Sequence, residues 1–113
     1  LEMLTGSVAE RSRQPDSGSN SNVWLRSTGD ENPELYGLAD ACAQIDGSTC
    51  PMLFMVGEQD QPARNQPARD KLKSFGVETG LITYPNAKHG CWNRQPWFEE
   101  MADDMVKFFN QHL

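Results

Sequence analysis

Positive charge is scarce in this 113-residue chain, and nowhere is it gathered. Ten lysines and arginines are scattered among sixteen aspartates and glutamates, for a formal net charge of -6. A phosphate backbone or an anionic membrane surface requires a positive patch, so neither nucleic acid nor membrane is expected as a partner. No apolar run approaches the ~20 residues of a membrane span, and no secretory signal is visible. A soluble protein is expected, with no compartment assigned. Cysteine is also sparse. Cys42, Cys50 and Cys91 are odd in number and fit no zinc-ligand spacing, so packing residues or free thiols are expected, with a Cys42–Cys50 bridge as the alternative in a secreted protein. There is no His-Glu-x-x-His, Lys88-His89 is not a metal pair, and no glycine-rich phosphate loop occurs. No metal or organic cofactor is implied.

Apolar residues make up 37% of the chain and are unevenly placed. Residues 5–34 are mostly polar, and the hydrophobic residues concentrate after residue 50. A core drawn from half of a short chain is small, and small domains bury surface inefficiently. More polypeptide is therefore expected around this chain. Its first residue is leucine, which reads as a processed chain, an engineered one or a piece of something longer.

The polar part includes "RSRQPDSGSNSN", whose serines, asparagines and glycines favour turns over burial. Residues 1–22 are read as a loop, with a short helical turn in 1–12 as an option. Trp24 in "NVWL" is expected to anchor this loop. "NPELYGLADACAQI" (32–45) reads as a short helix or two turns, with Asn32 as the N-cap and Pro33 in the first helical position.

From residue 51 the pattern sharpens. "PMLFMVG" (51–57) is a continuous apolar run between proline and glycine, the mark of a strand buried on both faces in a parallel sheet. "NQPARDKLKSFG" (65–76) predicts a helix capped at Asn65 or Gln66, with Pro67 in its first turn and Gly76 as its stop. Ala68, Leu72 and Phe75 share one face of it. "VETGLITYP" (77–85) predicts the next strand. A last helix is predicted from about Pro96 to His112, with Phe98, Met101, Met105, Phe108 and Phe109 forming its apolar face. His112, at the chain end, is expected to be exposed.

Strand, helix, strand, helix implies two parallel strands joined by a right-handed crossover. Such a unit has open strand edges and is incomplete on its own. Residues 1–50 form an irregular, cap-like segment and 51–113 a C-terminal βαβα unit, giving an α/β fold class.

Working residues in an open parallel sheet gather on loops at the carboxyl ends of its strands. The loop after the first strand, "GEQDQP" (57–62), carries Asp60, and the loop after the second, "PNAKHGC" (85–91), carries His89. Neighbouring strands lie ~4.8 Å apart, which brings Asp60 and His89 side by side. A carboxylate bonded to one imidazole nitrogen fixes the tautomer and leaves the other nitrogen as a general base. Taken singly, an aspartate in such a turn is a turn former and a loop histidine is a surface residue; the joint pattern points to a functional pair. Trp92 and Trp97 either line a pocket beside His89 or pack under the last helix.

Together, "PMLFMVGEQDQP", "LKSFGVETGLITYPNAKHGCW" and "PWFEEMADDMVKFFNQHL" resemble the C-terminal end of an α/β-hydrolase of the esterase/lipase group, serine carboxylesterase-like. The resemblance covers about residues 22–113 and is strongest from 51 onward. It implies that Asp60 is the triad acid and His89 the triad base, in the family's chain order of nucleophile, acid, histidine. It also implies that residues 22–51 wall a substrate pocket, although "LADACAQI" lacks the proline of the Ala-Ser-Pro turn that relatives often carry there. The nucleophile elbow Gly-x-Ser-x-Gly is absent. Ser7, Ser17, Ser19 and Ser48 lack a preceding strand and the second glycine, Cys50 and Cys91 lack an elbow, and the oxyanion-hole turn is missing. The expectation is a carboxylic ester hydrolase whose serine lies on other polypeptide, with an ester as substrate and an inactive isolated chain. Two other readings stand beside it. One is a non-catalytic flavodoxin-like binding or interaction module. The other is a subunit that completes its sheet with another chain.

Overall fold

The computed structural model describes residues 25–27 and 30–113. The expectations for residues 1–22 and for Trp24 fall outside them. Within the described part the chain has mixed α/β content: three helices and a two-stranded parallel sheet.

Helix α1 spans Pro33–Ala39. Asn32 accepts a hydrogen bond from the Leu35 N–H through Oδ1 at 3.1 Å, and Pro33 needs no partner in the first turn, so the local sequence starts the helix unaided. Tyr36 is fully buried and its hydroxyl donates to the Ser27 carbonyl at 2.8 Å. A series of turns follows. Asp46 takes hydrogen bonds from the Ser48 hydroxyl (2.6 Å) and the Ser48 N–H (2.8 Å). The hydroxyl bond, then the backbone one, holds its carboxyl below the ordinary range. The Lys71 ammonium donates to the Cys42 and Ala43 carbonyls at 2.8 and 3.1 Å, fastening these turns to the second helix.

Strand β1 is Met52–Gly57, helix α2 is Gln66–Ser74 and strand β2 is Thr79–Tyr84. The strands pair in parallel, Met52 with Thr79 through Gly57 with Tyr84. Because strand side chains alternate, the sheet feeds two clusters. Phe54 joins Ile45, Ala68, Leu72 and Val77, with Met52 and Leu81 packed beside them. Tyr84 joins Ala87, Cys91 and Met101, with Met55, Ile82 and Trp97 alongside. One cluster is built with α2 and the other with helix α3, which spans Trp97–His112.

Helix α2 starts after Asn65 with proline in its first turn and stops at Gly76, as the sequence predicts. Phe75, however, is 49% exposed instead of buried with Ala68 and Leu72. Gly76 adopts φ 73°, a conformation that glycine takes without a Cβ penalty, and reverses the chain. The Gly76 N–H then bonds Lys73 O at 3.0 Å and the Val77 N–H bonds Leu72 O at 3.0 Å, a Schellman stop. Val77, two residues later, fills the core place that helical spacing assigned to Phe75.

Burial along β1 also departs from the sequence reading. Only Phe54 and Gly57 are buried; Met52, Leu53, Met55 and Val56 are half-buried. Likewise, of the predicted apolar face of α3, Met101 is buried and Phe108 half-buried, while Phe98, Met105 and Phe109 are 54%, 43% and 53% exposed. The reason is geometric. Among the described residues the sheet has two strands, too narrow to cover a 16-residue helix. His112 is a correction of the opposite sign. Its side chain is 14% exposed, with Nδ1 3.6 Å from a Glu78 carboxylate oxygen and its ring against Phe108. Among the described residues no helix is long and apolar enough to cross a membrane.

Tyr84 ties β2 to α3. It is 1% exposed, and its hydroxyl donates to Asp104 Oδ2 at 2.7 Å. Burial pushes the phenol well above its ordinary value, and the bond to Asp104 and the negative charge there push the same way. Above about pH 10 an unfolded tyrosine releases its proton, while the folded one keeps it. The native state then binds more protons, so stability falls as pH rises through this alkaline window and is unaffected below it. Tyr84→Phe is expected to flatten that alkaline slope in urea melts. It should also cost about 1.5–3 kcal/mol at neutral pH through the lost bond to a charged partner.

Candidate functional site

The two loops at the carboxyl ends of β1 and β2 lie against each other because their strands are hydrogen-bonded neighbours in register, Gly57 beside Tyr84. The Asp60 loop is a tight turn in which the Asp60 N–H donates to Gly57 O at 2.9 Å, and Gln61 adopts a left-handed φ of 51° before the 3-10 turn Pro62–Asn65. The His89 loop opens with Pro85 and Asn86. Asn86 takes φ 58° and the Ala87 N–H closes the turn onto Tyr84 O at 3.3 Å, the type II pattern. Ala87 and Cys91 are buried on either side of His89, which pins the loop two residues before and two after it.

His89 Nδ1 lies 2.8 Å from Asp60 Oδ2. A carboxylate can only accept, so Nδ1 carries the hydrogen and donates it, and in the neutral ring Nε2 is then the nitrogen with a free lone pair. The Asp60 side chain is 20% exposed and that of His89 is 65% exposed, so the base is open to an incoming group. Trp92, in the 3-10 turn Cys91–Asn93, meets the imidazole in a T-shaped contact with ring centroids 5.1 Å apart. Trp97 plays the other part considered for it. It packs into the cluster under α3 and donates its Nε1–H to Pro85 O at 3.2 Å.

Four residues that the sequence reading did not single out build this meeting. The Glu58 N–H donates to Tyr84 O and the Gln59 N–H to Ala87 O, both at 2.9 Å, extending strand pairing into the loops. Glu58 Oε2 accepts the Asn86 N–H at 2.8 Å. Gly57 is buried directly under Ala87, whose carbonyl occupies the space a Cβ at 57 would take. Pro-Asn after a strand is a turn signal readable in advance; the bond from Glu58, 28 residues away, leaves no local trace.

Cys42, Cys50 and Cys91 are free thiols, and Cys91 is buried with its Sγ 3.8 Å from Met101 Sδ. Ser48 bonds Asp46 on an exposed turn. Among the described residues no three histidine, cysteine, aspartate or glutamate side chains are grouped to hold a metal ion. The open hollow lined by Asn32, Glu34, Leu35, Gly37 and Leu38 includes neither Asp60 nor His89. Chemically, the arrangement is an imidazole hydrogen-bonded through Nδ1 to a carboxylate, a pairing that can accept a proton and return it. Compared with known proteins, the chain finds no match: no family model, no curated protein and no solved structure.

Proposed function

We propose that this chain supplies the acid and the histidine of a Ser-Asp-His triad in a carboxylic ester hydrolase of α/β-hydrolase architecture. The serine, in this reading, lies on polypeptide outside these 113 residues. The observation that carries the reading is the 2.8 Å contact of His89 Nδ1 with Asp60 Oδ2, on loops that follow adjacent parallel strands. His89 Nε2 takes the proton of the serine hydroxyl as it attacks the ester carbonyl, then gives it to the departing alcohol. Asp60 orients the ring and stabilises the imidazolium formed in between. Water then repeats the sequence on the acyl-serine.

Two features support a larger sheet around the pair. Phe98, Met105, Val106 and Phe109 fall at spacings of seven, one and three, which places them on one side of α3, and all are exposed. Met52, Leu53, Met55 and Val56 of β1 are half-buried. Added strands with their helices would cover both.

The experiment is active-site labelling with a fluorophosphonate in the native polypeptide or assembly that bears this chain. Labelling is expected on a serine outside residues 1–113 and is expected to be lost in His89→Ala. Labelling that persists undiminished in both His89→Ala and Asp60→Ala would remove the pair from the mechanism.

A further inference from the structure

His89 is not held by burial. With its side chain 65% exposed, its orientation rests on Asp60 and on the edge contact with Trp92. The accuracy of the pair therefore depends on how firmly the two loops are held to each other. Besides the Asp60–His89 contact itself, three hydrogen bonds tie them: Glu58 N–H to Tyr84 O, Gln59 N–H to Ala87 O, and Asn86 N–H to Glu58 Oε2. The first two are backbone bonds. Apart from the Asp60–His89 contact, the third is the one tie between the loops, among the described residues, that a side chain makes, and it is charge-assisted at 2.8 Å.

Its placement matters. In a type II turn the closing bond uses the N–H of the fourth residue, here Ala87, and leaves that of the third, Asn86, free to be taken from outside. Glu58 takes it. Glu58 thus holds the turn from two sides, through its main chain at Tyr84 and its side chain at Asn86. It stands two residues before Asp60 and Asn86 stands three before His89, so the strap sits at the base of both working side chains.

We infer that Glu58 is a positioning residue for the Asp60–His89 pair. Its carboxylate clamps the Asn86 N–H and so sets the separation at which Asp60 reaches Nδ1. The inference deepens the reading proposed above and rests on it, but its test needs no turnover.

The test is the tautomer of His89 in the native polypeptide or assembly that bears this chain, labelled with nitrogen-15 at histidine and read from imidazole nitrogen shifts and their long-range couplings at about pH 8, above the ordinary histidine range. Wild type is expected to show chiefly the Nδ1–H form. In Glu58→Ala the ratio of the Nδ1–H to the Nε2–H form is expected to fall several-fold. In Glu58→Gln, which keeps an acceptor oxygen, and in Asn86→Gly, which keeps the N–H and the positive φ, it is expected to hold. Glu58→Asp, one methylene too short, gives a second reading if the alanine variant unfolds, and should lose the bias with an unchanged melting curve. A wild-type ratio retained in a folded Glu58→Ala or Glu58→Asp overturns the role of Glu58 alone. A wild type without Nδ1–H bias overturns the pair itself, and Glu58 with it.

Discussion

On the ester-hydrolase reading proposed above, replacing His89 by alanine in the polypeptide that bears the serine should lower kcat for a simple ester by about 10⁶-fold, and Asp60→Asn by about 10⁴-fold. The difference follows from what each group does. Without His89 nothing near the serine can accept its proton, and the attack must proceed from a neutral hydroxyl. Without the Asp60 charge the imidazole remains in place, since asparagine has nearly the same shape. But an amide can present its NH₂ to Nδ1, and that makes Nδ1 the acceptor and puts the hydrogen on Nε2, where the base should be. KM should change little in both variants, because neither group binds the ground-state ester; the loss belongs to the transition state. Steady-state kinetics on an activated and an unactivated ester would check this. Losses of less than tenfold in both variants would mean that the 2.8 Å contact is structural.

The parts of the fold legible beforehand were those specified by neighbours in sequence. "PMLFMVG" reads as a strand because a continuous apolar run ends in glycine, and β1 occupies Met52–Gly57. Asn65, Pro67 and Gly76 punctuate α2 at both ends. The meeting of Asp60 and His89 was legible for a different reason. A helix between two strands makes them parallel neighbours, and parallel neighbours carry their following loops to the same edge. Depth of burial was not legible, because it depends on how much polypeptide surrounds an element. Phe98 and Phe109 have the period of a core face, yet they stand exposed on a helix that the two strands of the described residues do not cover. Nor was the strap. Glu58 looks like any solvated acidic residue in a turn, and its partner is a backbone N–H freed by the local turn type at Asn86.

Gly57→Ala is expected to be strongly destabilising, since among the described glycines Gly57 is where an added methyl meets the closest contacts. Gly57 ends β1 as the last residue of the register, paired with Tyr84. A Cβ placed there would lie 2.7 Å from the Ala87 carbonyl carbon and closer still to its oxygen. Both atoms are backbone, so no side-chain rotation relieves the overlap. That same oxygen accepts the Gln59 N–H at 2.9 Å, and Ala87 itself is fully buried, so the turn cannot retreat without breaking a loop bond or opening the second core cluster. Overpacking of this kind costs about 1–3 kcal/mol, and a lost inter-loop bond adds to it. Urea melts should show a lower midpoint with an unchanged slope, as expected when stability falls without a change in the surface exposed on unfolding. The functional consequence is separable from the stability loss. Below the melting range the folded fraction of Gly57→Ala should still show a weakened Nδ1–H bias at His89, because pushing Ala87 outward carries the histidine loop away from Asp60. Glycine at 57 thus fixes how closely the Asp60 and His89 loops approach, which strand pairing alone does not determine. An alanine variant with wild-type midpoint and wild-type tautomer ratio would show that the loops have room the structure does not give them.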